Sequence, residues 1–176
     1  MTDQELDLIL DKYKPVQDHS EIKRLYHIVE KIEPKTIVEI GVGNGGTFSL
    51  WSTLLGKDDR LVGIDLSDSC KWDVNEAECN VKHLVGDSHC PVVVGRTMDA
   101  LKERPVDFLF IDGDHTSLGA RKDYVHYSMF VPHGGIIAFH SIASDECMKA
   151  FWDSLRIKKY EIIESMGIGF IVKETT

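Results

Sequence analysis

The chain has no apolar stretch approaching the roughly 18 residues that a membrane-spanning helix needs. None of its four cysteines, Cys70, Cys79, Cys90 and Cys147, belongs to a C-x-x-C pair. That spacing indicates neither a zinc knuckle nor a redox dithiol. With 43% hydrophobic residues the sequence can build a core without a disulfide scaffold, so reduced thiols are expected. Positive charge is scarce: 20 Lys and Arg stand against 29 Asp and Glu, a formal net charge of −9. Such a balance argues against a surface tuned to nucleic-acid phosphates. The N-terminus, MTDQELDLILDKYK, carries acids where a secretory signal would carry bases. A cytoplasmic protein with neither membrane nor nucleic acid as partner is the expectation. Repeats, low-complexity runs and long linkers are also missing from the 176 residues, a length that suits one domain.

What is present is a regular alternation. Leu6, Ile9 and Leu10 form a helical stripe that ends at Pro15. Ser20 is the expected cap of a second helix, with Ile22, Leu25, Ile28, Val29 and Ile32 at helical spacing before Pro34. Five short apolar runs follow: 36–40, 60–65, 82–85, 106–111 and 135–139. Near-continuous apolar strands suit a parallel sheet covered on both faces, and the intervening segments are long enough for crossovers. Residues 47–55 and 117–131 read as helices. So does 91–103, where Pro91 suits the first helical turn despite the strand-like Val92-Val93-Val94. At the end of the chain, residues 160–163 and 168–172 flank a turn at 164–167, the pattern of an antiparallel hairpin. The expected fold is a three-layer α/β domain with a mostly parallel sheet and a C-terminal antiparallel hairpin.

In such a fold ligands bind beyond the carboxyl ends of the strands, near the switch in strand order. The residues at those ends are Glu39, Gly41, Gly43, Asp65, Asp87, Asp112 and His140. The glycines of Glu39-Ile40-Gly41-Val42-Gly43-Asn44-Gly45-Gly46 permit a sharp turn and a close approach of ligand to backbone. The helix after them would offer its N-terminal amides. Asp65, 22 residues beyond Gly43, could accept both hydroxyls of a ribose. A tight turn alone could also use the glycines, and a helix cap or solvated turn could use Asp65.

The series resembles the class I S-adenosylmethionine (SAM)-dependent methyltransferases. Their acid followed by G-x-G-x-G is matched by Glu39, Gly41, Gly43 and Gly45. Their acid at the end of the second strand is matched by Asp65, and their acidic-polar pair after the third by Asp87-Ser88. The stretch FLFIDGDHTSLGARKDYVHYSMFVPHGGIIAFHS is similar to the small branch that holds cephalosporin-hydroxylase-like, macrolide-sugar and catechol-type O-methyltransferases. The likeness implies a Rossmann-like fold with a seven-stranded sheet and a SAM-binding domain over residues 35–176. Residues 1–34 carry none of it and are expected to be a helical lid or dimer contact. By resemblance, Gly41 and Gly43 would line the methionine portion, with Glu39 near its ammonium. Asp65 would hold the ribose and Leu66 would pack on adenine. Asp87 would accept from the adenine amino group, with the Ser88 amide near a ring nitrogen.

The acceptor end is read from Asp112-Gly113-Asp114-His115 and His140-Ser141. Relatives often bind a divalent metal with the first acid here and with acidic or amide side chains ending the fifth strand. This chain has His140-Ser141 at that place, so Asp112 and His140 make an incomplete oxygen site for Mg²⁺. With Asp114 and His115 they could form a mixed site for a transition metal. Without a metal, His115 or His140 is the natural general base and Asp112 its orienting partner. The resemblance implies methyl transfer to a hydroxyl of a small molecule or sugar, with a homo-oligomer possible. Two alternatives stay open: a non-catalytic binder of SAM or its demethylated product, and an NAD(P)-linked oxidoreductase whose G-x-G-x-x-G would close at Gly46.

Overall fold

The computed structural model describes residues 1–174. Two helices, α1 (Asp3–Tyr13) and α2 (His19–Glu30), lead into β1 (Thr36–Ile40), α3 (Gly46–Ser52), β2 (Arg60–Asp65) and β3 (Asn80–Val85). There follow α4 (Pro91–Leu101), β4 (Phe108–Ile111), α5 (Ser117–Tyr127), β5 (Ile136–His140), α6 (Glu146–Ser154), β6 (Tyr160–Ile162) and β7 (Ile168–Val172). The strands form one seven-stranded sheet in the order β3-β2-β1-β4-β5-β7-β6. β1 to β5 pair in parallel, and β7 runs antiparallel to both β5 and β6. This is the expected three-layer fold with its closing hairpin.

Successive residues of a strand face opposite sides, and the two cores follow that alternation. Ile37, Leu61, Phe108, Phe110 and Ala138 pack on one face beneath Leu6, Leu10, Leu25, Phe48 and Trp51 of α1, α2 and α3. Val38, Val62, Leu109, Ile111 and Phe139 pack on the other against Val93, Ala120, Phe151 and Trp152 of α4, α5 and α6. The two N-terminal helices thus belong to the same core as the sheet.

Element ends differ from the sequence expectations: β4 starts at Phe108 rather than 106, and α3, α5 and β6 end at Ser52, Tyr127 and Ile162 rather than at 55, 131 and 163. Three further differences bear on packing. Asp18, not Ser20, caps α2: its carboxylate accepts from the Ser20 and Glu21 amides at 2.9 and 3.2 Å. Two residues before Ser20, its carboxylate can accept from two amides at once, and its negative charge is favoured at a helix N-terminus. β3 is not buried on both faces. It is the sheet edge, and of its six residues only Leu84 is buried. β5 runs one residue further than the apolar run, through His140, which is 2% exposed.

Glu21 is fully buried on α2 and ties that helix to the hairpin. Its Oε1 accepts from the amides of Glu164 and Ser165 at 2.7 Å each and from Gly167 at 3.0 Å. An anionic acceptor serving several amides is worth more than a neutral one. Glu21→Ala is expected to cost about 3 kcal/mol, or about 10 °C in Tm by thermal denaturation. Glu21→Gln, which keeps one acceptor oxygen, should lose less than half as much.

Candidate functional site

The chain runs outward from β1 to β3 and then returns to place β4 on the other side of β1. Loops leaving the carboxyl ends of β1 and β4 therefore diverge, and a cleft of about 810 Å³ opens between them. It is lined by residues from the end of every parallel strand: Gly41 and Gly43, Asp65, Asp87 and Ser88, Asp112, and His140.

Two loops meet tightly at its floor. Gly41 has φ +86°, and a Cβ there would lie 2.0 Å from the Asp112 carbonyl oxygen. Ile40 and Asp112 continue the ladder above it, the Asp112 amide donating to the Ile40 carbonyl at 2.8 Å. Gly43, at φ +54°, would have no heavy atom within 4 Å of an added Cβ. Its amide donates to Asp65 Oδ2 at 2.8 Å, and the Ser67 amide donates to Oδ1 at 2.9 Å. One carboxylate thus pins the glycine turn to the end of β2. Leu66, 77% exposed, forms the adjoining lip.

Asp87 accepts from the His89 amide at 2.8 Å, which closes the turn after β3. The Ser88 hydroxyl points inward, donating to Asp123 Oδ1 at 2.6 Å, while the Ser88 carbonyl accepts from the Tyr127 hydroxyl at 2.9 Å. Asp123 is fully buried on α5, and burial raises its carboxyl above the usual range despite the Ser88 bond. His89 lies with Nε2 at 3.3 Å from Asp123 Oδ1 but without a hydrogen bond to it.

Glu39 and Gly45 are not cleft-lining residues. Glu39 is fully buried in β1 below the floor, where burial pushes its carboxyl well above the usual range. The hydroxyl of Thr47, which does line the cleft, donates to its Oε1. Gly45 turns the other way: a Cβ there would meet Cys70 Sγ at 2.8 Å and Trp72 Cβ at 2.9 Å. It serves the packing of the 70–72 segment on the start of α3.

The three acceptor-end residues come together. Asp112 Oδ1 receives His115 Nε2 and His140 Nδ1, each at 2.9 Å, and Oδ2 receives the side-chain amide of Gln17. Ligand atoms of Asp112, His115 and His140 lie within 4.8 Å of one another. Burial alone would raise the Asp112 carboxyl, but the hydrogen bonds from His115 and His140 outweigh it and hold it below the usual range. The bond to Asp112 raises His115. His140 is buried, with Ser141 Oγ 3.1 Å from its Nδ1; His115 is half-exposed toward the cleft. Asp114 accepts from the Thr116 amide at 2.8 Å, and Thr116 itself caps α5 through the Gly119 amide at 3.0 Å.

Two participants escape sequence reasoning. Gln17 sits in a short loop with nothing around it to mark it. Asp123 did leave a signal: it lies three residues after Ala120 and four before Tyr127, on the buried stripe of α5.

Gly41→Ala forces a methyl onto the Asp112 carbonyl in a backbone region that L residues avoid. We expect about 3 kcal/mol or more of lost stability, measured by denaturant unfolding. A wild-type midpoint in that variant would contradict the tight meeting of the two loops.

Residues 38–142 match the family described as a methyltransferase domain. An uncharacterised protein of Acanthamoeba polyphaga mimivirus is 30% identical over 131 residues, which are 65% of this chain and 57% of that protein. This chain therefore spans little more than half the length of that relative. Among solved structures, the O-methyltransferase TomG of Streptomyces achromogenes, involved in tomaymycin synthesis and solved with SAM, superposes with a TM-score of 0.71 at 15% identity. That match covers 98% of this chain and 89% of TomG. An O-methyltransferase of Bacillus cereus in complex with S-adenosylhomocysteine (SAH) gives 0.67 at 18% identity, covering 98% and 92%. MycE of the mycinamycin biosynthetic pathway, solved with Mg, SAH and mycinamycin VI, gives 0.68 at 16% identity, covering 96% and 54%. At these identities the likeness is one of fold.

Proposed function

The chain belongs to the methyltransferase-domain family, and on that premise we propose that it transfers the methyl group of SAM to a hydroxyl of a small molecule in the strand-end cleft. The observation that carries this reading is a convergence. The glycine turn, the Asp65 carboxylate and the Asp87 turn share one cleft with the Asp112–His115–His140 cluster.

The residues present fit a nucleoside sulfonium. The open flank of Gly43 leaves room for a ligand against bare backbone. Each Asp65 oxygen is committed to a backbone amide, and a carboxylate oxygen has a second lone pair for a ribose hydroxyl. Leu66 offers an apolar surface for a purine and Asp87 an acceptor for its amino group. Glu39 acts through Thr47 rather than on the ligand directly. SAM supplies an electrophilic methyl group on a cationic sulfur. The task of the chain is then mainly alignment, aided by removal of the acceptor proton.

His115 is the base in this reading. Asp112 fixes its Nε2 as the hydrogen-bonded nitrogen and leaves Nδ1 free to take a proton. His140, buried and bonded to the same oxygen, holds the Asp112 carboxylate in place. The cluster does not fit Mg²⁺, which prefers oxygen ligands: it offers two imidazoles and one carboxylate, whose second oxygen already serves Gln17. A free, accessible base at the cleft favours catalysis over mere binding.

Thermal shift separates the cofactor classes. SAH should raise Tm, because a ligand bound only to the folded state stabilises it by about 2.7 kcal/mol at a hundredfold excess over Kd; NAD should leave Tm unchanged. Asp65→Ala should weaken SAH by about tenfold or more in calorimetry. A shift with NAD and none with SAH would replace the transferase reading by the oxidoreductase one.

Because Asp112 raises His115, the free-base form predominates only above the raised value. The rate of methyl transfer should therefore climb with pH along a limb lying above about 6.5, the ordinary histidine value. Asp112→Asn should move that limb down, and His115→Gln should remove it and slow transfer by about 10²–10⁴-fold. A limb unmoved in both variants rules out His115 as the base.

A further inference from the structure

We propose that Asp123, buried on α5 behind the wall of the cleft, is a positioning residue for the cofactor: it holds the turn after β3 against the purine and so sets the preference for adenine over other bases. The proposal rests on the transferase reading above.

A carboxylate on the buried stripe of a helix calls for a reason. Asp123 is fully buried between Ala120 and Tyr127, on the face of α5 that packs toward the sheet. An apolar residue there would avoid the cost of taking a charge out of water. The carboxylate is also poorly served. Its Oδ1 accepts from the Ser88 hydroxyl at 2.6 Å, while Oδ2 has no hydrogen-bond partner among the described residues. The loop after β4 closes over it: a Cβ on Gly113 would come within 3.3 Å of Oδ2. A group kept at such a cost, in so confined a place, has the Ser88 hydroxyl as its one hydrogen-bonded partner among the described residues.

That partner belongs to the purine end of the cleft. Asp87, Ser88 and His89 line it, and they hang from β3, the edge strand, which has the sheet on one side only. The Gly86 amide ties the start of the turn to the Asp65 carbonyl at 2.7 Å, and the Cys90 amide closes it on the Asp87 carbonyl at 2.9 Å. Between those points α5 supplies the anchors. Residues four apart share a helix face, so Asp123 and Tyr127 reach the same place. The Tyr127 hydroxyl donates to the Ser88 carbonyl at 2.9 Å while Asp123 takes the Ser88 hydroxyl. Backbone and side chain of one turn residue are thus gripped by one helix. In the transferase reading the Asp87 carboxylate accepts from the purine amino group and the Ser88 amide meets a ring nitrogen. Both groups sit on the segment that α5 holds, and a shift of that segment takes both off the edge of the base.

The test compares SAH with S-inosylhomocysteine, in which a carbonyl replaces the amino group of the base, by calorimetry on the full chain. Wild type should prefer SAH by about tenfold or more, because a carbonyl facing Asp87 sets acceptor against acceptor. Asp123→Ala should weaken SAH by about tenfold and bring the preference down toward none. Asp123→Asn, which keeps an acceptor for Ser88, should stay within about threefold of wild type in both respects. Ser88→Ala retains the backbone amide and removes only the hydroxyl. It should reproduce the lost preference, and the double variant should lose no more than either single one. Ser88→Ala carries the same comparison should Asp123→Ala fail to fold. A residue that merely stabilised α5 would lower Tm and leave the preference for SAH intact. A wild-type preference in Asp123→Ala or in Ser88→Ala therefore overturns the proposal, as do additive losses in the double variant. Equal affinity of the wild-type protein for the two ligands overturns the base assignment and leaves the cofactor reading standing. Binding of neither ligand by wild type removes the transferase reading and this proposal with it.

Discussion

A buried carboxylate must find donors, and Asp112 finds them in three separate parts of the chain. Gln17 comes from the loop between the first two helices, His115 from the approach to α5, and His140 from the last residue of β5. Leaving such a group without partners would cost several kcal/mol. The arrangement therefore binds the N-terminal strap, the α5 approach and the centre of the sheet into one wall. Its backbone is fixed as well, because the Asp112 carbonyl lies where any side chain at residue 41 would have to stand. The end of β4 is in this sense the point where the glycine-turn half of the cleft meets its histidine half.

The two halves divide the chemistry. On one side short loops after β1, β2 and β3 offer backbone amides, open space at Gly43 and carboxylates that hold the turns in shape. On the other side a histidine stands at the cleft surface, oriented by an acid that is itself held ionised. Charge is used sparingly and with one sign. Four aspartates line the cleft, and Glu39 lies beneath its floor, where burial raises its carboxyl above the usual range. A recess of this kind suits a cationic cofactor. Its apolar edges at Leu66, Val16 and Met166 give flat or hydrocarbon groups somewhere to rest.

Much of this was legible in the residues because the fold writes its active ends at the points where apolar runs stop. The strands at 36–40, 60–65 and 168–172 fall where their patterns place them, and Pro91 correctly marks α4 as a helix against its valine-rich composition. Asp65, Asp87, Asp112 and His140 could be found for the same reason. What could not be read is what depends on distance in sequence. Gln17 is a polar residue in a loop until the tertiary fold sets it against Asp112. Glu21 looks like an ordinary exposed helix acid until the hairpin turn closes over it. Asp123 hides in an otherwise apolar helix face. Glu39 and Gly45 belong to the same motif as Gly43, yet the turn rotates them away from the cleft, one below it and one toward Trp72. Motif spacing identifies neighbours in the chain, while the turn decides which of them a ligand can meet.

The most direct test of the central claim is a crystal structure of the protein grown with SAH. The account predicts density running along the Gly41–Gly43 turn, with the ribose on Asp65 and the purine over Leu66 beside Asp87. An empty cleft beside SAH bound elsewhere on the molecule, or a ribose that leaves Asp65 untouched, would contradict it.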